Sequence, residues 1–263
     1  MQKRRDLSIE KYNADAWDHY VKTGIEWTVP VTPEQIEKAR KGDWSVTLAT
    51  TRPVPRDWFP EMKGADILCL AGGGGQQGPI FAAAGAKVTV LDSSSAQLER
   101  DRMVAGREGL NLTTVQGDMR DLSCFEDESF DLVFHPVANC YVPEILPIWH
   151  ESYRVLRPEG ILMAGLVQPI QYIFDFAEWG KGRLIVKNKL PYNDLLNASD
   201  EELAGYMKDK TALEFSHYLE ESIGGQMEAG FVLTGFFEDR QPGDILSDHI
   251  PVYFATRALK MVS

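Results

Sequence analysis

Cysteine is scarce: three residues in 263, Cys69, Cys124 and Cys140, widely spaced and without a Cys-x-x-Cys pair or Cys/His cluster. That pattern reads as buried thiols and speaks against a structural zinc site. His19, His150, His217 and His249 also lack ligand spacing, so no metal is expected. Basic side chains are outnumbered, 27 against 39 acidic ones, for a net charge of -12. Without a basic face to displace counterions, a nucleic-acid partner is not expected. Long apolar runs are missing too: no stretch of about 18 residues is apolar enough to span a bilayer. The opening MQKRRDLSIE is basic, but no apolar segment follows it as in a secretory leader, so a cytoplasmic location without membrane attachment is expected. With 44% hydrophobic and 25% charged residues, disorder and fibre are excluded, and one large domain with additions is expected.

What the chain does contain is ordered along its length. Residues 1–62 hold Trp17, Trp27, Trp44 and Trp58 among five prolines and read as an N-terminal helical extension or lid. Within it, DAWDHYVKTG reads as a helix closing at Gly24, and TPEQIEKARKG as one capped by Thr32, opened by Pro33 and stopped at Gly42. These aromatics either fasten the extension to the rest of the chain or roof a ligand site. Residues 63–263 form the main domain. Strand-like ILCLA, KVTVL, LTTVQ, FDLVFH and ILMAGLV alternate with helical PIFAAAG, SAQLERDRMVAGREG and EILPIWHESYRVL, with RPEG as the turn before the fifth strand. Such alternation predicts an α/β fold, doubly wound on a mostly parallel sheet. Residues 168–213 interrupt it as a cap insertion, in which GRLIV and KNKLPY suggest a small hairpin. A helix over roughly 214–229 and two β-like runs, FVLTGFFED and IPVYFATRAL, follow; without a helix between them these two pair antiparallel.

Gly73, Gly75 and Gly78 form G-x-G-x-x-G between a strand and a helix, and Asp92 closes the next strand. Glycines permit a sharp turn and close ligand approach, while a strand-end carboxylate accepts hydrogen bonds from both ribose hydroxyls. The loop alone does not choose between a dinucleotide and another adenosine ligand. After the third strand, Gly117-Asp118-Met119 offers a carboxylate for an adenine amino group and an amide for its ring.

Taken together, this series resembles the class I S-adenosylmethionine-dependent methyltransferases, of the UbiE type that acts on small molecules. The likeness is strong over residues 64–166 and weaker over the terminal strands. WTVPVTPEQIEKARKGDWSVTLATTRPVPRDWFP with LCLAGGGGQQGPI is similar to an uncharacterised bacterial subgroup carrying the same extension. The resemblance implies a Rossmann-like, seven-stranded sheet with an antiparallel last strand, S-adenosyl-L-methionine as cofactor, S-adenosyl-L-homocysteine as product, and a small-molecule methyl acceptor. It implies that Ala71, Gly72, Gly73 and Gly75 underlie the methionine portion, that Asp92 with Ser93 meets the ribose, and that Gly117, Asp118 and Met119 meet the adenine. His135 and Pro136 would lie near the transferred methyl, with His135 the first base to test. Two positions depart from the family: Cys69 stands where an acid is usual and Ala71 where a glycine is usual. Gln76, or a residue of the extension, is then expected to receive the methionine amino group. Trp17, Trp27, Asn139, Tyr141 and His217 are the expected acceptor-side residues.

Two other functions are consistent with the loop. A nicotinamide-dependent oxidoreductase shares the glycine motif, but no Tyr-x-x-x-Lys pair follows it. A non-catalytic cofactor-binding protein is suggested by the departures at Cys69 and Ala71.

Overall fold

The computed structural model describes residues 7–262; the basic start of the chain, MQKRRD, lies outside the described residues. Apolar runs flanked by glycine turns become the central strands of one seven-stranded sheet, ordered β3-β2-β1-β4-β5-β7-β6. In chain order the extension contributes α1 (Ile9–Thr23) and α2 (Pro33–Arg40), and the alternating region β1 (Asp66–Leu70), α3 (Gln77–Ala83), β2 (Lys87–Asp92), α4 (Ser95–Glu108), β3 (Leu112–Gln116), β4 (Phe130–His135), α5 (Leu146–Val155) and β5 (Leu156–Val167). The first five strands are parallel, while β7 (Tyr253–Lys260) runs antiparallel to both β5 and β6 (Phe231–Asp239). The expected fold class is therefore the one observed. No helix among the described residues is long and apolar enough to cross a membrane.

The helix signals in the extension act as expected, with one change of length. Thr32 and Gln35 exchange side-chain and backbone hydrogen bonds in a capping box at α2. Helix α1 closes at Gly24 in the left-handed conformation, but it begins at Ile9, with Ser8 as its cap.

Three local expectations fail. The segment RPEG lies inside β5: Phe130 pairs with Leu156 and Leu132 with Ile161, so the extra residues form an irregularity in the strand, with Glu159 at φ 66. GRLIV and KNKLPY do not pair with each other. Val186 instead bridges to Phe174 and Asn193 to Phe215, because the insertion folds onto the strand ends through its aromatics and the short helices α6 (Phe176–Trp179), α7 (Asp194–Asn197) and α8 (Asp200–Asp209). Residues 212–218 are extended, not helical; the late helix starts with a π-turn at Glu220–Gly224 and ends in α9 (Gly225–Glu228).

Each sheet face has its own core. On one face Ile67, Cys69, Leu132, Phe134 and Met163 pack with Ile36, Leu48, Val54 and Trp58 of the extension. On the other, Leu68, Leu70, Val133 and Leu162 pack against Ile148 and Trp149 of α5. The extension is thus part of the hydrophobic interior and not an appendage. Its backbone crosses β5 so closely that a Cβ on Gly165 would run into the Leu48 carbonyl, which accepts a hydrogen bond from the Val137 amide at 2.9 Å. Farther along, the amides of Thr50, Thr51 and Arg52 all donate to the Asp239 carboxylate at 2.9–3.0 Å. Burial alone would raise that acid, but the bonds from Arg52, Thr51 and Arg240 bring it down to about 2.

Candidate active site

A cavity of about 200 Å³ opens at the carboxyl edge of the sheet, above β1 and β4, where the strand order reverses. Parallel sheets bind ligands at this point because the loops leaving adjacent strands diverge there. The turn after β1 supplies Ala71, Gly72 and Gly73 to its wall, Asp92 and Ser93 come from the end of β2, and Gly117, Asp118 and Met119 follow β3. Pro136 follows β4.

Local hydrogen bonds explain the loop. Gly73 donates its amide to Asp92 Oδ2 at 3.0 Å, and Ser94 donates to Oδ1 at 2.9 Å. A Cβ on Gly73 would lie 2.9 Å from that Asp92 oxygen and 2.8 Å from the Gln97 Cβ, so only glycine leaves both in place. Burial pushes the Asp92 carboxyl up to about 6 against the pull of the Ser94 and Gly73 amides, and Asp18 adds to the rise. Behind the loop, buried Asp101 of α4 accepts the Gly74 amide at 2.9 Å. Burial pushes Asp101 up to about 8 despite bonds from the Gly75 and Gly74 amides.

The extension forms the roof. Trp17 and Trp27 line the cavity, together with Asn13 and the crossing segment from Thr47 to Thr50. Helix α1 is held down by its polar side chains: Asn13 donates to the Tyr141 and Leu213 carbonyls, and Asp18 accepts from Ser94 Oγ and the Ala96 amide at the start of α4. Glu10, on the same helix, pairs with Arg120, which also grips Asp118 through its Nη2 at 2.6 Å. The tryptophans thus divide between the two expected roles, Trp44 and Trp58 in the core and Trp17 and Trp27 at the cavity.

Four expected positions do not face this cavity. His135 is fully buried, with Nδ1 donating to the Leu70 carbonyl at 2.8 Å and Nε2 accepting from Asn139 at 3.1 Å. Strand alternation turns it in phase with Val133 toward Trp149, whose ring lies 6.2 Å away. Burial holds the imidazole down to about 4, partly countered by its bond to Leu70. With both nitrogens committed and the ring outside the cavity, the geometry gives His135 a structural place, not that of a base. Asn139 turns inward to His135, and His217 donates to the Asn139 carbonyl at 3.0 Å, so both brace the loop after β4. Gly75 lies behind the loop, its carbonyl accepting from Val31 of the extension. Replacing His135 with leucine is expected to cost about 1–3 kcal/mol of stability, from the stranded Asn139 amide. Adenosylhomocysteine affinity should not change; urea unfolding and calorimetric titration would test the two parts.

Gln76 does line the cavity, and its Nε2 donates to the Glu26 and Val29 carbonyls of the extension. Cys69 is fully buried between Val90 and Phe134 of the neighbouring strands, so it offers nothing to a ligand. Tyr141 lines the cavity as expected, and Tyr253 of β7 joins it. Tyr253, Glu10, Gln97 and Asp101 were not singled out from the sequence. Asp101 alone had a local signal, since it shares a helical face with Leu98 and Val104.

No lysine, arginine or histidine lines the cavity among the described residues; its charged walls are Glu10, Asp92 and Asp118. No side-chain cation there pairs with a pyrophosphate, whereas carboxylates beside an open glycine loop suit a ribose, an adenine and a cationic sulfonium.

The chain belongs to a family of methyltransferases and has the fold of the class I S-adenosylmethionine-dependent members. It is 50% identical over 254 residues to an uncharacterised methyltransferase, YbaJ, of Bacillus subtilis, covering 97% of this chain and 99% of that one. A family described as "Methyltransferase domain" matches residues 68–164. A sterol 24-C-methyltransferase of Gibberella zeae is 38% identical over 102 residues, 38% of this chain and 26% of its own. In fold, the chain is similar to a crystal structure of an S-adenosylmethionine-dependent methyltransferase from Mesorhizobium loti, with TM-score 0.59, 20% identity, and coverage of 78% of this chain and 94% of that one.

Proposed function

We propose that the protein methylates a small molecule that carries no anionic group, in the half of the cavity walled by Trp17, Tyr141 and Tyr253. The observation that carries this reading is a cavity whose charged walls are all acidic. An anionic acceptor would find no counter-charge there, while aromatic faces favour planar or cationic groups. Asp92 would accept from the ribose hydroxyls. Asp118 keeps acceptor capacity for an adenine amino group beside its Arg120 pair, because a carboxylate offers about four lone-pair sites. With the Gln76 Nε2 already committed to the extension, its Oε1 is the atom turned to the methionine ammonium. When bound, the cofactor supplies an activated methyl group. The chain's part is to align the acceptor with it and keep water out, which the roof formed by α1 and the crossing segment serves.

Thermal shift with matched ligands tests the reading. Adenosylhomocysteine at saturating concentration is expected to raise Tm by several degrees, and NAD to leave it unchanged. A shift from NAD with none from adenosylhomocysteine would reject the assignment of the cavity.

A further inference from the structure

Helix α1 reaches across the cavity and is fastened twice, each time beside one of the two acids assigned above to the cofactor. Just beyond Asp92, Ser94 donates its hydroxyl to the Asp18 carboxylate at 2.6 Å, and Ser95 Oγ and the Ala96 amide donate to it at 3.2 and 2.9 Å. Just beyond Asp118, Arg120 joins that acid to Glu10. At 1.5 Å of rise per residue, Glu10 and Asp18 stand about 12 Å apart along the helix. Between them Asn13 and Trp17 line the cavity, with Trp17 edge-on to Tyr141 at 5.3 Å.

The fastenings to the cofactor loops are polar, whereas another face of α1 is apolar and packs elsewhere. Ile9 and Tyr12 cluster with Leu203, Tyr206 and Met207 of α8 and with Leu213, apart from the cores on the two sheet faces. Tyr12 Oη donates to the Tyr206 and Thr211 carbonyls at 3.0 and 2.9 Å, Asn13 Oδ1 accepts the Leu213 amide at 2.8 Å, and the Tyr20 hydroxyl accepts the Ala212 amide at 2.9 Å. Helix α8 and the turn after it thus ride on α1, although among the described residues nothing from 168–213 lines the cavity.

At about 200 Å³ the cavity is smaller than the roughly 300–1,000 Å³ of sites that enclose one drug-sized ligand, and a cofactor with an acceptor needs more. Its floor is stiff, because the loops leaving the parallel strands are tied together: the Ala71 amide donates to the Leu91 carbonyl at 2.8 Å and the Gly117 amide to the Asp92 carbonyl at 3.1 Å. The wall able to give is therefore the roof. A ligand touching Glu10, Asn13 and Trp17 binds the lowered helix better than the raised one, and by that difference holds it down.

We propose that α1 and α8 move as one lid, and that Asp18 and Glu10 are positioning residues that set Trp17 against the acceptor wall once the cofactor is in place. The inference rests on the methyl-transfer reading above, which supplies the ligand.

Hydrogen exchange read by mass spectrometry, without and with adenosylhomocysteine, tests the lid. With ligand at 100 times Kd, the amides of residues 9–23 and 200–213 are expected to slow together, by up to about 100-fold, since opening must first release the ligand. Tyr12→Ala should keep the effect in 9–23 and lose it in 200–213. Slowing confined to 9–23 in the wild type overturns the shared lid, and slowing in neither segment overturns the lid altogether. Fluorescence tests the latches. The change on saturation with adenosylhomocysteine, taken as the difference between each protein and the same protein carrying Trp17→Phe, is expected in the wild type, absent in Asp18→Ala, and restored in Asp18→Asn, which keeps an oxygen for the Ala96 amide. An undiminished change in Asp18→Ala overturns the positioning role; Glu10→Gln, at the exposed end of the helix, gives the same comparison if Asp18→Ala does not fold. Calorimetric titration of the wild type keeps the two readings apart: adenosylhomocysteine that binds without moving the lid sinks this inference alone, while adenosylhomocysteine that does not bind sinks the methyl-transfer reading.

Discussion

Replacing Asp92 with alanine is expected to weaken adenosylhomocysteine binding by roughly 10²- to 10⁴-fold, measured by calorimetric titration. A hydrogen bond to a charged group contributes about 1.5–3 kcal/mol, and on the proposed reading two ribose hydroxyls share this carboxylate. At about 1.4 kcal/mol per decade, the pair corresponds to that range. The fold should survive, since the acid is strained by burial and its internal partners are the Gly73 and Ser94 amides at a loop edge. A second signature follows from its protonation. The carboxyl is raised to about 6, so wild-type affinity should decline as pH falls through 6 and the ionised acceptor is lost, a dependence missing from Asp92→Ala. Affinity within threefold of wild type would remove Asp92 from the ribose site.

Asp101→Asn should stabilise the protein, and more so as pH rises. Burial lifts this carboxyl from 3.8 to about 8, so the folded state holds a proton that the unfolded chain releases near pH 4. Because the folded value is the raised one, the contribution of Asp101 to stability is complete below pH 4 and is lost as pH climbs through 8. At 1.36 kcal/mol per unit, wild type forgoes up to about 4 kcal/mol by pH 7. Asparagine keeps the oxygen that accepts the Gly74 amide at 2.9 Å, and its NH₂ stands in for the carboxyl proton. That proton also resolves an otherwise odd pairing, in which the buried Asp101 Oδ1 and Gln97 Oε1, one turn apart on α4, both lack partners. Urea unfolding of both proteins at pH 5, 7 and 9 would show the difference widening with pH; a constant or reversed difference would mean that Asp101 is ionised in the fold.

The parallel half of the sheet and its glycine loop were legible because apolar strands between glycine turns leave few topologies, and the loop residues lie next to the strands that place them. His135 was misplaced for a specific reason. FDLVFH puts Phe130, Leu132 and Phe134 on one face and Asp131, Val133 and His135 on the other, but both faces of a doubly wound sheet are covered, so the alternation does not say whether the last side chain points to the cavity or to α5. Its parity with Val133 decides the matter only once the two faces are distinguished by packing. The late helix was overextended because Glu214–His217 has helix-compatible composition, and a bridge to Asn193, some twenty residues earlier, overrides propensity. Nothing local marks Asp18 as a cap for α4 or Glu10 as a partner of Arg120, since both contacts join segments distant in sequence.

The crossing of Leu48 over Gly165 and the capture of Thr50–Arg52 by Asp239 also set an order of assembly. Residues 48–52 leave the ribosome before the strands they rest on exist, and Asp239 follows nearly two hundred residues later. Trp58, which packs against Gly235 and Phe237, must therefore remain without its final cover until β6 has been made. The roof of the cofactor cavity is translated before the strands it rests on and can close only after them.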